Sequence, residues 1–177
     1  MEPADTRMRI RRGSTADAPA LAAFAARTFA ETFGAFNVPE HLQSHLTNAY
    51  GIPQQTRELL DSATVTLLAE DAGELVAYAQ VRNVPPLSCV THPDAVQLQR
   101  FYVDHPAQGR GVAQTLMTAV RDAARELGGG HLWLTVWERN PRAIAFYAKC
   151  GFVDVGDTVF YVGPDRQIDR VLVAPVG

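Results

Sequence analysis

Two short segments of the chain carry residue types whose chemistry goes beyond packing. The first is Gln108-Gly109-Arg110-Gly111-Val112-Ala113, set between an alternating apolar run that ends at Val103 and a long amphipathic run. A helix start there offers unpaired backbone N–H groups and the positive end of the helix dipole, and small residues let a diphosphate approach the main chain. The segment is therefore either a pyrophosphate cradle or a Gly-rich turn into a helix. A dinucleotide fingerprint would need Gly or Ala three residues beyond Gly111, where Gln114 stands, and a P-loop would need Gly-Lys-Ser/Thr, so both are excluded. The second segment is Asn140-Pro141-Arg142-Ala143-Ile144-Ala145-Phe146-Tyr147. Asn140 is a good helix N-cap and Pro141 suits a first helical turn. Two turns of helix place the Asn140 amide and the Tyr147 phenol on one side, about 10 Å apart, so a long polar ligand could run between them. Taken alone, Tyr147 fits a half-buried packing tyrosine better than a ligand-binding one.

The elements that would hold these segments follow from periodicity. Met8 to Arg12 reads as a strand, and Ser14 with Asp17 three residues on as a capped start to a helix from Asp17 to Phe33. Pro39 opens a second helix that stops at Gly51, and Thr56 to Asp61 adds a short helical piece. Thr64–Glu70 and Glu74–Arg82 are strands joined by Asp71-Ala72-Gly73, a hairpin loop. After the Pro-containing stretch Asn83–Asp94 come a strand at Ala95–Val103, a helix at Gly109–Leu127, a strand at His131–Trp137, a helix at Pro141–Cys150 and strands at Phe152–Val162 and Arg170–Ala174. The order predicts an α/β protein of the α+β type, with a mixed, mostly antiparallel sheet, one parallel crossover and flanking helices.

Composition narrows the setting. The length predicts one domain over residues 1–177, and 47% hydrophobic with 20% charged residues fits an ordinary globular chain. Lys+Arg 16 against Asp+Glu 19 gives no basic surplus for a nucleic-acid backbone, so no nucleic-acid partner is expected. The longest apolar stretch, Ala18 to Ala26, is too short for a bilayer, and no apolar signal region follows the N-terminal charges, so a cytoplasmic protein without a membrane partner is expected. Cys89 and Cys150 form no paired motif, and His41, His45, His92, His105 and His131 lack metal-ligand spacing, so no metal is expected.

The pattern resembles the GNAT superfamily of N-acetyltransferases over nearly the whole chain. Ile10-Arg11-Arg12, Thr28-Phe29-Ala30-Glu31-Thr32-Phe33, Leu98-Gln99-Arg100-Phe101-Tyr102-Val103, the Gln108-x-x-Gly111-x-Ala113 loop and Asn140 through Tyr147 to Gly151-Phe152 carry the resemblance. Trp137-Glu138-Arg139-Asn140 and Phe160-x-x-Gly163-x-Asp165-x-Gln167-x-Asp169 look more narrowly like bacterial spermidine/spermine acetyltransferases.

The resemblance implies a sheet with a central splay and acetyl-CoA as co-substrate. Backbone N–H groups of Gly109, Arg110, Gly111, Val112 and Ala113 would hold the CoA pyrophosphate, with Arg110 adding charge and Gln108 shaping the turn. Val103, with Tyr102 beside it, would pair with the pantetheine arm and point an N–H at the thioester oxygen. Asn140 would bond the same arm, Tyr147 would protonate the departing thiolate, and Lys149 or Arg142 would meet the 3′-phosphate. Many relatives carry Glu where this chain has Gln97, which leaves the base open, with Glu138 and Glu31 as candidates. The implied acceptor is the primary amine of a small molecule, polyamines first and a peptide N-terminus second. A non-catalytic acyl-CoA sensor is the alternative from another class. Glu31–Tyr50 and Asn83–Asp94 would shape the acceptor pocket, and a homodimer is expected.

Overall fold

The computed structural model describes residues 8–177. In chain order the elements are β1 (Arg9–Arg12), α1 (Ala18–Phe33), α2 (Pro39–Tyr50), α3 (Ile52–Leu60), β2 (Thr64–Asp71), β3 (Glu74–Arg82), β4 (Ala95–Val103), α4 (Val112–Glu126), β5 (His131–Trp137), α5 (Pro141–Lys149), β6 (Val153–Val162) and β7 (Asp165–Pro175). The seven strands form one sheet in the order β1-β2-β3-β4-β5-β7-β6. Every neighbouring pair is antiparallel except β4 and β5, which are joined through the α4 crossover.

Three boundaries differ from the sequence expectation by more than one residue, each for a local reason. The short helical piece expected at Thr56 begins at Ile52, because Gly51 takes extended backbone (φ -62, ψ 155) and Pro53 fits the first turn that follows. The last strand begins at Asp165 and not at Arg170. Gly163, with φ +58, allows a two-residue turn that pairs Val162 with Asp165, so the polar stretch Asp165–Asp169 is strand although it has few apolar residues. Helix α4 begins at Val112, because Gly109 (φ +76) and Gly111 (φ +81) hold left-handed backbone, which an α-helix cannot include.

The two faces of the sheet carry different helices. Leu116, Met117 and Val120 of α4 pack with Leu98 of β4, Leu132, Leu134 and Val136 of β5, and Tyr147 of α5. On the opposite face Leu21, Phe24, Phe29 and Phe33 of α1 pack with Leu68, Tyr78, Trp137 and Val162. Alternation along the strands explains the division, since Val136 and Trp137 are adjacent and must face opposite ways.

Between β4 and β5 the sheet opens. Their pairing covers Ala95–Gln97 against His131–Trp133 and then stops. On its other edge β4 stays paired with β3 to Val103, with a bulge that leaves Gln99 as the extra residue between the Gln80–Arg100 and Val81–Leu98 pairs. The bulge bends β4 away from β5, and the expected central splay is this gap.

Helix α3 is fastened beneath the gap by a buried ion pair. Nη1 of Arg100 donates to Glu58 Oε2 at 2.6 Å and to Gln80 Oε1 at 2.7 Å, and Gln80 Nε2 donates to the same Glu58 oxygen at 3.0 Å. The guanidinium also lies over the Tyr50 ring, 4.6 Å from its centroid. With side-chain exposures of 9% and 12%, removal of one partner strands the other in a low-dielectric site. Glu58→Ala is therefore expected to lower the unfolding free energy by about 3–5 kcal/mol in a urea titration. The double variant Glu58→Leu with Arg100→Met, which removes both charges, should recover most of that loss, and equal losses in the two variants would show that packing rather than charge holds α3.

Candidate active site

A cavity of about 960 Å³ passes through the splay. From the α4/α5 face it is lined by Gly109, Gly111, Ala113, Asn140 and Tyr147, and from the α1/α2 face by Glu31, His45, Tyr50, Phe160 and Asp169. The two segments singled out in the sequence thus reach one chamber from the same face.

The glycine loop presents its backbone because of how α4 begins. The N–H of Thr115 bonds back to Gly111 C=O at 3.2 Å, so the N–H groups of Val112, Ala113 and Gln114 have no carbonyl within the helix to meet. A Cβ built on Gly109 or Gly111 would meet no atom within 4 Å, so open space surrounds both. The loop is a set of outward N–H groups at a helix start, which is the geometry that binds a phosphate.

The edge of β4 is equally specific. Asp104 N–H bonds to Val76 C=O of β3 at 2.8 Å, so by alternation Tyr102 also turns its backbone to β3 and Val103 turns its N–H and C=O toward the gap. Gln108 Nε2 donates to that Val103 carbonyl at 3.1 Å, which ties the turn to the strand and leaves the Val103 N–H free of strand partners. The Tyr102 ring stacks on Tyr78 at 5.7 Å, on the α1 side.

On α5, the Asn140 Oδ1 caps the helix by accepting from Ala143 N–H at 3.2 Å, which leaves its amide N–H₂ for a ligand in the cavity. Tyr147 packs edge-on to Phe101 and Phe152, and burial, reinforced by Cys150, pushes its phenol well above the ordinary tyrosine value. The hydroxyl is thus a proton donor at neutral pH, as a general acid must be.

Several expected side chains lie away from the cavity. Val112 turns its side chain into the core while its N–H stays in the outward set, and Arg110, expected to add charge, is exposed and donates to Asp71 at 2.9 Å. Lys149 is exposed and outside the lining, whereas Arg142 borders the cavity. Glu138 is also exposed and outside the lining: it follows Trp137 at the end of β5, and the strand parity that turns Trp137 inward has ended. Glu31 does line the cavity, but it is half exposed and bonded by Arg27 at 3.1 Å, and Arg27 also holds Asp104. Gln97 lines the cavity with its Oε1 accepting from Arg82 Nε at 2.6 Å.

The structure brings into the cavity two groups to which the sequence reading gave no role there. Asp169 is 6% exposed, lines the cavity, and stands opposite Trp137 in the β5–β7 register. Desolvation lifts its carboxyl to about 6, Glu138 adds to the rise, and the Thr135 hydroxyl opposes it. His45 is half-buried between Phe29 and Phe160, and burial with Arg100 nearby lowers its imidazole below the ordinary histidine value. Among the histidines, spacing along the chain hides a group that meets in space. His92 stacks on His131 at 3.7 Å, Asp94 Oδ1 meets His131 Nδ1 at 2.9 Å, and the three residues' ligand atoms lie within 4.8 Å of one another, near enough to hold a metal ion. They meet at the paired end of β4 and β5, where Ala95 faces His131. Among the described residues no helix is long and apolar enough to cross a membrane.

Comparison with known proteins bears on this geometry directly. Residues 26–152 match the family model of the acetyltransferase (GNAT) family. An uncharacterized N-acetyltransferase of Mycobacterium tuberculosis is 33% identical over 157 residues, 89% of this chain and 96% of that protein. The spermine/spermidine N(1)-acetyltransferase of Bacillus subtilis is a more distant and partial match, 29% identical over 89 residues, 50% of this chain and 59% of that one. Among solved structures, the PaiA N-acetyltransferase of Thermoplasma acidophilum, in complex with coenzyme A, superposes with a TM-score of 0.77 at 17% identity, over 96% of this chain and 99% of that one. With the family model spanning most of its length and a full-length relative of one-third identity, this chain is an N-acetyltransferase of the GNAT family.

Proposed function

We propose that the chain moves the acetyl group of acetyl-CoA directly to the primary amine of a small cationic molecule, a polyamine being the first candidate. The observation that carries this reading is the free Val103 N–H on the splayed edge of β4, in one cavity with the outward N–H groups of the glycine loop and the protonated phenol of Tyr147. Acetyl-CoA would lay its pyrophosphate on the N–H groups of residues 109–113 and its pantetheine arm along the gap, held by the Asn140 amide. The Val103 N–H would steady the oxyanion as the amine attacks, and Tyr147 would give its proton to the departing sulfur.

The acceptor would enter from the α1/α2 side, where Glu31 and Asp169 are the carboxylates in the lining. Opposite charge raises the local concentration of a cation there, an effect screened over about 8 Å at physiological ionic strength. The partial likeness to the Bacillus subtilis enzyme supports a polyamine in particular.

Acetyl-CoA should raise the thermal midpoint of the protein, since a ligand at a hundredfold excess over its dissociation constant adds about 2.7 kcal/mol to stability. Tyr147→Phe should bind acetyl-CoA unchanged by calorimetry yet lower kcat by about 10²- to 10⁴-fold in a CoA-release assay. A bound but never consumed cofactor in the wild type would identify an acyl-CoA sensor instead. In a panel of amines, spermidine should react ahead of neutral amines, with the margin narrowing as salt is added. Efficient reaction of peptides with free N-termini and none of polyamines would move the acceptor to protein N-termini.

A further inference from the structure

We infer that Asp169 is the carboxylate that binds the acceptor's ammonium and takes its proton, an inference that rests on the acetyl-transfer reading of the cavity. A primary amine is mostly protonated at neutral pH and has no lone pair to attack with, so a group in the cavity must accept a proton. Gln97 is an amide and cannot. Glu138 lies outside the lining, and Glu31 is half exposed with Arg27 already on its carboxylate. Asp169 is the other carboxylate of the cavity, and its setting differs in kind.

Three features of that setting point to a ligand. Its Oδ1 is buried without a hydrogen-bond partner, and no cation is paired with the side chain among the described residues. The Thr135 hydroxyl bonds the carboxylate, but an oxygen buried without a partner is costly, and a cationic substrate would supply the partner that Oδ1 lacks. It stands on the acceptor face: strand parity puts it beside Trp137, which packs with Phe33 and Phe36 from the α1 side, with Phe160 of β6 in the same cluster. The polar and titratable groups around it are Thr135 and Glu138 from β5 and its end, Thr158 of β6, and across the cavity Glu31, His45, Tyr50, Arg82 and Arg100. Of the arginines, Arg100 is held by Glu58, Arg82 by Gln97 and Arg142 borders the cavity from α5 on the other face, while the neighbouring Arg170 turns to Asp154. An ammonium is the cation the site lacks.

The protons balance as follows. The ammonium gives one proton to Asp169, directly or through one water, and the freed lone pair forms the C–N bond. The C–S bond breaks as Tyr147 gives its proton to sulfur. The proton shed by the new amide nitrogen returns through cavity water to Tyr147, and Asp169 releases its own to solvent, one proton for each amide made.

The test is Asp169→Asn, which keeps the shape and removes the base. In the wild type kcat should rise with pH through about 6, where burial has placed this carboxyl. The variant should lose that limb and about 10²- to 10⁴-fold in kcat, with acetyl-CoA affinity by calorimetry unchanged. Folding gives a control with the opposite sign. A carboxyl raised from 3.8 to about 6 on folding holds its proton more tightly in the native state, so its contribution to stability is complete below 3.8 and is lost as pH climbs to 6. Asp169→Asn should abolish that decline and be no less stable than wild type at pH 7. Wild-type turnover with an unchanged kcat and pH limb in Asp169→Asn overturns the inference alone, as does loss of the limb in His45→Gln with Asp169→Asn unaffected. Absence of CoA release by wild type on every amine overturns the acetyl-transfer reading and this inference with it.

Discussion

The parting of β4 from β5 is the constraint on which the rest of the molecule depends. A parallel pair normally continues its ladder for the length of the shorter strand, but this one stops after three residues because the bulge at Gln99 turns β4 aside. Backbone groups in the middle of a sheet cannot be left dry without partners, so an opening there must be filled by side chains, water or a ligand. Gln108 takes the Val103 carbonyl. The matching N–H is left for what enters, and the helices on both faces are arranged around that vacancy in the ladder.

The same opening separates two electrostatic regions. On the α4/α5 side the chain offers N–H groups at a helix start and an amide, a surface suited to anions and polar amides. On the α1/α2 side it offers Glu31 and Asp169, while the arginine nearest the base of the gap is spent on Glu58. That buried pair adds little net stability as a pair, yet it keeps a guanidinium from neutralising the acceptor side. In the proposed reaction the cofactor and the amine therefore approach from faces of matching and opposite polarity, through a sheet one layer thick.

Much of this was legible in the sequence, because local rules govern the parts concerned. Glycines with positive φ before an amphipathic run, an Asn-Pro helix start and a Gly-containing hairpin loop are decided within a few residues. The strand and helix order, and with it the mixed sheet, followed from the same periodicity. What escaped was set by pairing over distance. Asp165–Asp169 is too polar to read as strand, and becomes one because Gly163 folds it back on β6. The meeting of His92 with His131 depends on the β4–β5 register across the α4 crossover. Glu138 misled for a smaller reason: it lies one residue past the end of β5, where strand parity no longer directs a side chain to the cavity.

Burial acts on two acids of the cavity in the same direction and with different consequences. Removing a phenol from water raises a value already near 10, so Tyr147 holds its proton across the whole physiological range and can only give it to a stronger base, such as a thiolate leaving its carbonyl. Removing a carboxyl from water raises a value near 4, and it brings Asp169 up to about 6, still ionised at neutral pH but closer to the affinity of an amine for the same proton. A carboxylate at its ordinary value would be a poorer acceptor from an ammonium, and one raised much further would arrive already protonated. In the proposed reaction, desolvation in one cavity thus leaves a donor on the α5 face and an acceptor on the α1 face, because the intrinsic acidities of phenol and carboxyl lie on either side of neutrality.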